Sequence, residues 1–146
     1  MQHLVFASKI ERGFDRLMGQ LRRLGIGEGI TLTGFVPDQD LPILYSGAEL
    51  LAMPSLHEGF GLPALEAMAC GIPVLCSNVA SLPEVVGDAG RQVDPYNVEE
   101  IAHALETLLA DGNLRATCIR KGLARSGEYT WTAAAARVLE VYREIV

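Results

Sequence analysis

Residues 50–77, LLAMPSLHEGFGLPALEAMACGIPVLCS, contain two short apolar runs separated by a glycine turn and an apolar helical segment. The runs at 50–54 and 72–77 are typical of strands buried on both faces of a parallel sheet. The segment 62–70 predicts a helix, and Pro63 suits its first turn because a missing N–H costs nothing there. Strand, helix and strand in this order predict an α/β fold.

The preceding sequence continues this alternation of strands and helices. Apolar, partly β-branched runs predict strands at 3–8 and 30–36, and residues 38–48 predict a short helix or turn. Helical spacing before Gly25 predicts an amphipathic helix whose buried face carries Ile10, Phe14, Leu17, Leu21 and Leu24. We therefore expect a Rossmann-like parallel sheet, doubly wound, with right-handed crossovers and helices on both faces.

The sequence after residue 80 predicts further helices from their starting residues. Ser81 with Glu84 has the spacing of a capping box, and Asn97 with Glu100 opens a second helix. The buried side of that second helix is expected to carry Ile101, Leu105, Leu108 and Leu109. Thr130 is expected to cap a last helix, with a core or helix-docking stripe formed by Trp131, Val138, Val141, Tyr142 and Ile145. A solvated face is expected for Arg120, Lys121 and Arg125.

Length, charge and cysteine usage limit the classes of function. A chain of 146 residues is expected to be one domain, spanning 1–146. A net charge of −6 without a basic stripe argues against nucleic acid as a partner. No apolar run approaches a membrane span and no signal peptide is evident, so we expect a cytoplasmic protein. Cys70, Cys76 and Cys118 lack a ligand-like spacing, which predicts reduced thiols and no metal site.

The turn at 58–62 is the candidate site. It follows the strand predicted at 50–54, and ligands of such folds bind beyond the carboxyl ends of the strands. Gly59 and Gly61 have no Cβ, so we expect positive φ angles and close approach of a ligand to the backbone amides. The helix start adds N–H donors and a positive dipole end, which suit hydroxyl oxygens or phosphate.

Two glutamates flank these amides. Glu58 and Glu66 would repel phosphate, but as acceptors they suit sugar hydroxyls or an ammonium group. A ligand with hydroxyls at each end and an anion between them, such as a nucleotide sugar, would satisfy both glutamates and the amides. The residues alone leave a second interpretation open, because glycine turns before helices also serve packing, and a glutamate near a helix start is favourable without a ligand.

The stretch PSLHEGFGLPALEAMACGIPVLCSNVASLPEVVGDAG, residues 54–90, resembles the signature region of glycosyltransferase family 4, the group 1 glycosyl transferases, with its Glu-x7-Glu motif at Glu58 and Glu66. The resemblance runs from about residue 29 to the end. It implies the C-terminal, donor-binding half of a GT-B fold, lacking the first strand-helix unit of that domain. It also implies retaining transfer of a hexose, without a metal or other cofactor, from a UDP- or GDP-linked donor such as GDP-mannose.

Roles for individual residues follow from the resemblance. Glu58 would be the catalytic residue, which holds hydroxyls of the donor sugar near the reacting centre. Glu66 would accept hydrogen bonds from the ribose hydroxyls. Backbone amides for sugar and diphosphate would come from Gly59, Phe60, Gly61 and Leu62. Phe35 and Val36 would lie beside the base.

The resemblance also implies partners that this sequence does not contain. The family's Gly-Arg unit and nearby lysine, which hold the diphosphate, have no convincing replacement, and Lys9 is the only basic residue that we place near the ligand edge. The acceptor-binding N-terminal domain is missing as well. We therefore expect the chain alone to be inactive, or to be a non-catalytic nucleotide-sugar-binding module. Self-association through an exposed sheet edge is expected, as is peripheral contact of the full-length protein with the inner membrane.

A flavodoxin-like or receiver-like α/β domain is disfavoured. That class would need an acidic cluster at the strand ends and a lysine late in the chain, and the sequence shows neither.

Overall fold

The computed structural model describes residues 2–7, 14–26 and 29–145. The chain divides into two compact units, Met1–Leu41 and Pro42–Val146, and each is described by itself. The assignment of 1–146 to one domain stays a prediction. The described strands pair in parallel throughout, as expected, but they form two sheets rather than one, because each sheet lies within one unit.

The first unit contains a two-stranded parallel sheet and one helix. Strand β1 (Leu4–Phe6) pairs with β2 (Ile30–Leu32), in a register that sets Val5 opposite Thr31. Helix α1 (Phe14–Arg23) lies between the two strands in the chain. This order of elements confirms the predicted strand, helix and strand.

Details of the first unit differ from the prediction. The strand predicted at 30–36 ends early because Gly34 has a φ of 70°, which takes the backbone out of the extended conformation. Leu21 of the predicted helix face is buried, whereas Leu24 lies beyond the end of α1 and is exposed. Ile10, assigned to the same face, lies outside the described residues.

The second unit is built on three parallel strands in the order β3-β4-β5. These strands are β3 (Leu51–Met53), β4 (Val74–Ser77) and β5 (Arg91–Val93), and Ala52 pairs with Leu75. The helices after β2 are α2 (Leu41–Ser46), α3 (Leu62–Ala69), α4 (Leu82–Val86), α5 (Val98–Ala110), α6 (Gly112–Glu128) and α7 (Trp131–Ile145).

Strand β4 lies at the centre of the core of the second unit. Val74 and Cys76 belong to a first core cluster, which comprises Ala64, Leu65, Ala67, Met68, Ile72, Val74, Cys76, Leu82, Val85, Val86 and Ala89. Leu75 belongs to a second core cluster with Val93, Ala104, Leu108 and Cys118. Successive residues of a strand point to opposite faces, so one face of β4 packs against α3 and α4, and the other packs against α5 and Cys118 of α6.

Burial on both faces, predicted for the strands at 50–54 and 72–77, is therefore confirmed for β4 only. In β3, Leu51 and Met53 are half-buried, and Ala52 is exposed. The difference follows from position, because β3 has one strand neighbour within this sheet and β4 has two.

The helix starts at Asn97 and Thr130 are confirmed. The Asn97 side chain accepts a hydrogen bond from the Glu100 N–H at 3.0 Å, and Thr130 Oγ1 accepts one from the Ala133 N–H at 3.1 Å. The predicted buried side of α5 is also confirmed at Leu108, which is fully buried.

The environment predicted for the last two helices is wrong in two places. Trp131 is 90% exposed, and no residue of α7 that the structure describes is buried, so the predicted stripe is a surface of this chain. Arg125 of α6 is half-buried rather than part of a solvated face, because its guanidinium donates to the backbone carbonyls of Glu84 and Val85 and to the Tyr129 hydroxyl.

Candidate functional site

The motif loop, residues 54–61, connects the carboxyl end of β3 to the start of α3. Gly61 is the N-cap of α3, with a φ of 97°, and Pro63 is the second residue of the helix. A Cβ at Gly61 would lie 2.6 Å from Leu82 Cδ2. Both the backbone angle and the close approach of Leu82 therefore require glycine at this position.

Gly59 occupies a different environment from Gly61. Its φ lies outside the left-handed region, and an added Cβ would meet no atom within 4 Å. The predicted positive φ is therefore confirmed for Gly61 and wrong for Gly59. At Gly59 the missing side chain leaves open space above the backbone, which is what the approach of a ligand requires.

Four consecutive backbone N–H groups lie at the end of this loop. Within the described part of the chain, the amides of Gly59, Phe60, Gly61 and Leu62 donate no hydrogen bond. The first residues of a helix have no intrahelical acceptor, and the dipole of α3 adds positive potential at the same point. The loop thus carries the donors that the sequence predicted for an anion or for hydroxyl oxygens.

Glu58 is half-buried, and both its carboxylate and its backbone carbonyl accept a hydrogen bond from a serine. Ser55 Oγ donates to Glu58 Oε1 at 2.9 Å, and Ser81 Oγ donates to the Glu58 backbone carbonyl at 3.1 Å. Ser77, fully buried at the end of β4, donates to the Ser55 carbonyl at 2.6 Å. No described residue donates to Glu58 Oε2, so this oxygen can accept from a ligand.

The capping box predicted at Ser81 is wrong. Ser81 precedes α4, but its side chain makes no cap hydrogen bond and its backbone is helical. The hydroxyl binds the carbonyl of Glu58 instead, so the residue fixes the motif loop rather than its own helix. A capping pattern in the sequence cannot distinguish these two uses of one hydroxyl group.

Glu66 is exposed in the second turn of α3, about 6 Å along the helix axis from Leu62. The hydroxyl of Tyr45, on α2, donates to Glu66 Oε2 at 2.9 Å. Burial, followed by the hydrogen bond and the charge of Glu66, raises the pKa of Tyr45 well above its ordinary value, so the phenol stays protonated. Oε1 of Glu66 has no partner among the described residues.

The side chain of Phe60 has a structural partner. Its ring meets the Tyr129 ring edge-on, with centroids 6.0 Å apart. The guanidinium carbon of Arg125 lies 5.1 Å from the centroid of the Tyr129 ring, and Arg125 Nε donates to the Val85 carbonyl. Phe60 thereby joins the motif loop to the end of α6, while its N–H remains free.

Phe35 and Val36 lie in the first unit, after β2. Phe35 is exposed and Val36 is half-buried. Their location beside a nucleotide base stays a prediction. Lys9, considered for the diphosphate, lies outside the described residues.

Sequence reasoning missed the groups that position the glutamates, namely Tyr45, Ser55, Ser77 and Ser81. Ser55 and Ser77 had a local signal, because each is a polar residue at or just beyond the end of an apolar strand. Tyr45 had none, since 21 residues separate it from Glu66.

The described residues contain no group of three or more His, Cys, Asp and Glu side chains that could hold a metal ion. None of their helices is long and apolar enough to cross a membrane. The three cysteines are free thiols.

A family model described as "Glycosyl transferases group 1" matches residues 3–125 of the chain. O-antigen chain mannosyltransferase B of Escherichia coli is 47% identical over 131 residues, which are 88% of this chain and 34% of that protein. The chain therefore spans about a third of the length of this relative.

Two solved structures are similar to most of the chain. Sucrose-phosphate synthase from Thermosynechococcus elongatus has a TM-score of 0.86 and 32% identity, over 99% of this chain and 38% of that one. Anabaena Alr3699/HepE, solved in complex with UDP and glucose, has a TM-score of 0.88 and 25% identity, over 97% of this chain and 40% of that one.

Proposed function

This chain belongs to the group 1 glycosyl transferases, and on that premise we propose that it is the donor-binding part of a retaining hexosyltransferase. The resemblance predicted from residues 54–90 and the α/β fold of GT-B glycosyltransferases are confirmed. The observation that supports the proposal most is the set of four free amides, Gly59 to Leu62, between two carboxylates with unused acceptor oxygens.

Each part of a nucleotide-diphosphate hexose has a counterpart in the proposal. The free amides and the start of α3 would hold the diphosphate, and Glu58 Oε2 would accept from a hydroxyl of the hexose. Glu66 would accept from the ribose hydroxyls, and Phe35 and Val36 would flank the base. In transfer, the bond from the hexose C1 to the diphosphate oxygen would break, a bond from C1 to an acceptor hydroxyl oxygen would form, and the hydroxyl proton would pass to the leaving diphosphate. The amides would stabilise the charge on the leaving diphosphate.

The donor is proposed to be GDP-mannose or a UDP-hexose. The name of the E. coli relative supports mannose, whereas the ligands in the structure of Alr3699/HepE support UDP and glucose. Both donors share a ribose, a diphosphate and a hexose, which are the groups that the motif loop and Glu66 would contact.

A non-catalytic nucleotide-sugar-binding module is the second candidate. In the part of the chain that the structure describes, no Lys or Arg forms a hydrogen bond or ion pair with residues 54–61. Among the described residues, a diphosphate would therefore be neutralised by amides alone, so weak binding without transfer is expected. We propose that an acceptor-binding domain is the partner needed for transfer, in a cytoplasmic protein at the inner membrane, and that this chain self-associates.

Calorimetric titration of the purified chain with UDP, GDP, UDP-glucose and GDP-mannose tests the proposal. Weak binding of one nucleotide and of its sugar conjugate is expected. Glu66→Ala should weaken it about tenfold, because hydrogen bonds to a charged acceptor are lost. Glu106→Ala, an exposed glutamate of α5, is the matched control and should bind as the wild type does. Absence of binding to all four ligands would refute the proposed function, and sugar transfer by this chain alone would refute the binding module.

A further inference from the structure

Tyr45 and Glu66 form a hydrogen-bonded pair whose two members differ in burial. Glu66 is exposed on α3, whereas the ring of Tyr45 is half-buried and packs against the first core cluster. An exposed glutamate samples several rotamers, and ordering it upon binding would weaken the affinity. The Tyr45 hydroxyl, anchored by its ring, holds Oε2 of the carboxylate before any ligand arrives.

The hydrogen bond leaves Glu66 enough acceptor capacity for a ligand. A carboxylate offers about four lone-pair sites on its two oxygens, and Tyr45 uses one of them. Oε1 and the second site of Oε2 remain, which is enough to accept from two adjacent hydroxyl groups. The phenol is the donor in this pair because an ionised carboxylate can only accept, and the raised pKa of Tyr45 keeps its proton in place.

We infer that Tyr45 is a positioning residue, which orients the Glu66 carboxylate to bind the two adjacent ribose hydroxyls of a nucleoside diphosphate. The inference rests on the proposed function and adds a residue outside the motif loop to it. It makes recognition of the ribose depend on α2 as well as on α3. A purely structural tyrosine would stabilise the fold without affecting the choice between ribose and deoxyribose.

The preference for a ribonucleotide over its 2′-deoxy form is the measurement that separates these roles. The dissociation constants of UDP and 2′-deoxy-UDP, or of GDP and 2′-deoxy-GDP if the wild type binds GDP, are measured by calorimetry. The wild type should bind the ribonucleotide about tenfold more tightly, because the 2′-deoxy form lacks one hydrogen bond to a charged acceptor. In Tyr45→Phe the preference should fall to about threefold or less.

Tyr142→Phe is the matched control, because this tyrosine is exposed on α7, and it should keep the wild-type preference. Partial unfolding of a variant raises both dissociation constants by the same factor and leaves their ratio unchanged. The ratio therefore reports on Tyr45 even if Tyr45→Phe lowers stability.

The inference and the proposed function fail in different ways. If Tyr45→Phe keeps the wild-type preference, Tyr45 does not position Glu66 and the inference is overturned, while nucleotide binding stands. If the wild type binds none of the nucleotides, the proposed function is overturned. If Glu66→Ala keeps the ribose preference, the assignment of Glu66 to the ribose is overturned, and the role of Tyr45 with it.

Discussion

Replacement of Gly61 by alanine should destabilise the second unit, because this position combines an unfavourable backbone angle with a close steric contact. Gly61 has a φ of 97° and is the N-cap of α3. The added Cβ would lie 2.6 Å from Leu82 Cδ2. Leu82 is fully buried in the first core cluster, so its side chain cannot move aside into solvent.

The expected loss of stability combines three terms. An alanine held at positive φ costs about 1–3 kcal/mol. Overpacking of a filled core costs about 1–3 kcal/mol. The lower entropy of alanine in the unfolded chain offsets about 0.4–1 kcal/mol. The net loss should be about 3 kcal/mol, a large part of the roughly 5–15 kcal/mol that stabilises a typical domain.

Urea unfolding followed by far-ultraviolet circular dichroism measures this loss. Tryptophan fluorescence is unsuitable, because the only tryptophan, Trp131, is 90% exposed in the folded chain. With an m-value of about 2 kcal/mol/M, the midpoint of Gly61→Ala should fall by about 1.5 M. A fall of less than about 0.5 M would refute the reasoning, since it would mean that neither the backbone angle nor Leu82 constrains this residue.

Gly59→Ala is the matched control within the same loop. An added Cβ at Gly59 meets no atom within 4 Å, so the unfolding midpoint should change by less than about 0.3 M. The methyl group would instead occupy the open space above the free amides and weaken nucleotide binding. A variant that loses stability but keeps its affinity would contradict the assignment of Gly59 to ligand access.

Two further predictions concern side chains near the motif loop. Ser55→Ala removes the donor to Glu58 Oε1. Calorimetry gives the binding free energies of the nucleotide sugar and of its nucleoside diphosphate, and the advantage of the nucleotide sugar should fall by about 1 kcal/mol in this variant. Ser126→Ala, which removes a hydroxyl bonded within α6, is the control, and an unchanged advantage in Ser55→Ala would contradict the role of Ser55. Burial raises the pKa of the Cys76 thiol to about 11 and also raises the pKa of Cys118, so alkylation at mildly alkaline pH should modify the half-buried Cys70 first. Mass spectrometry of the folded chain measures the order, and early modification of Cys76 would contradict its burial.

Local sequence signals predicted the elements of the second unit well. The apolar runs of β3 and β4, the helix starting beside Pro63 and the cap at Asn97 depend on neighbouring residues, and each is present in the structure. The same signals predicted the position of the motif loop. Once β3 and α3 are assigned, the segment between them must lie at the carboxyl end of β3.

Contacts between distant residues could not be predicted in the same way. The spacing of Ser81 and Glu84 satisfies a capping pattern, yet the hydroxyl binds the Glu58 carbonyl, 23 residues away. Arg125 lies on a helix with polar neighbours, yet its guanidinium binds carbonyl groups of α4, 40 and 41 residues away. The apolar stripe of α7 has the period of a buried face, yet Trp131 is exposed. Periodicity indicates which residues share a face of a helix, but not what covers that face.

Under the proposed function, the hydroxyl groups that donate to the two glutamates would allow carboxylates to line a site for a diphosphate. Glu58 and Glu66 are held by the hydroxyls of Ser55 and Tyr45, and in the part of the chain that the structure describes neither forms an ion pair. A cation beside either carboxylate would compete with sugar hydroxyls for its oxygens, whereas one neutral hydroxyl fixes the carboxylate and leaves most of its lone pairs unused. In the proposed site, the free amides from Gly59 to Leu62 would provide the positive potential for the phosphates. Carboxylate acceptors for the hydroxyls and amide donors for the phosphates would then let the motif loop and α3 together bind the proposed ligand, which is rich in hydroxyls and also anionic.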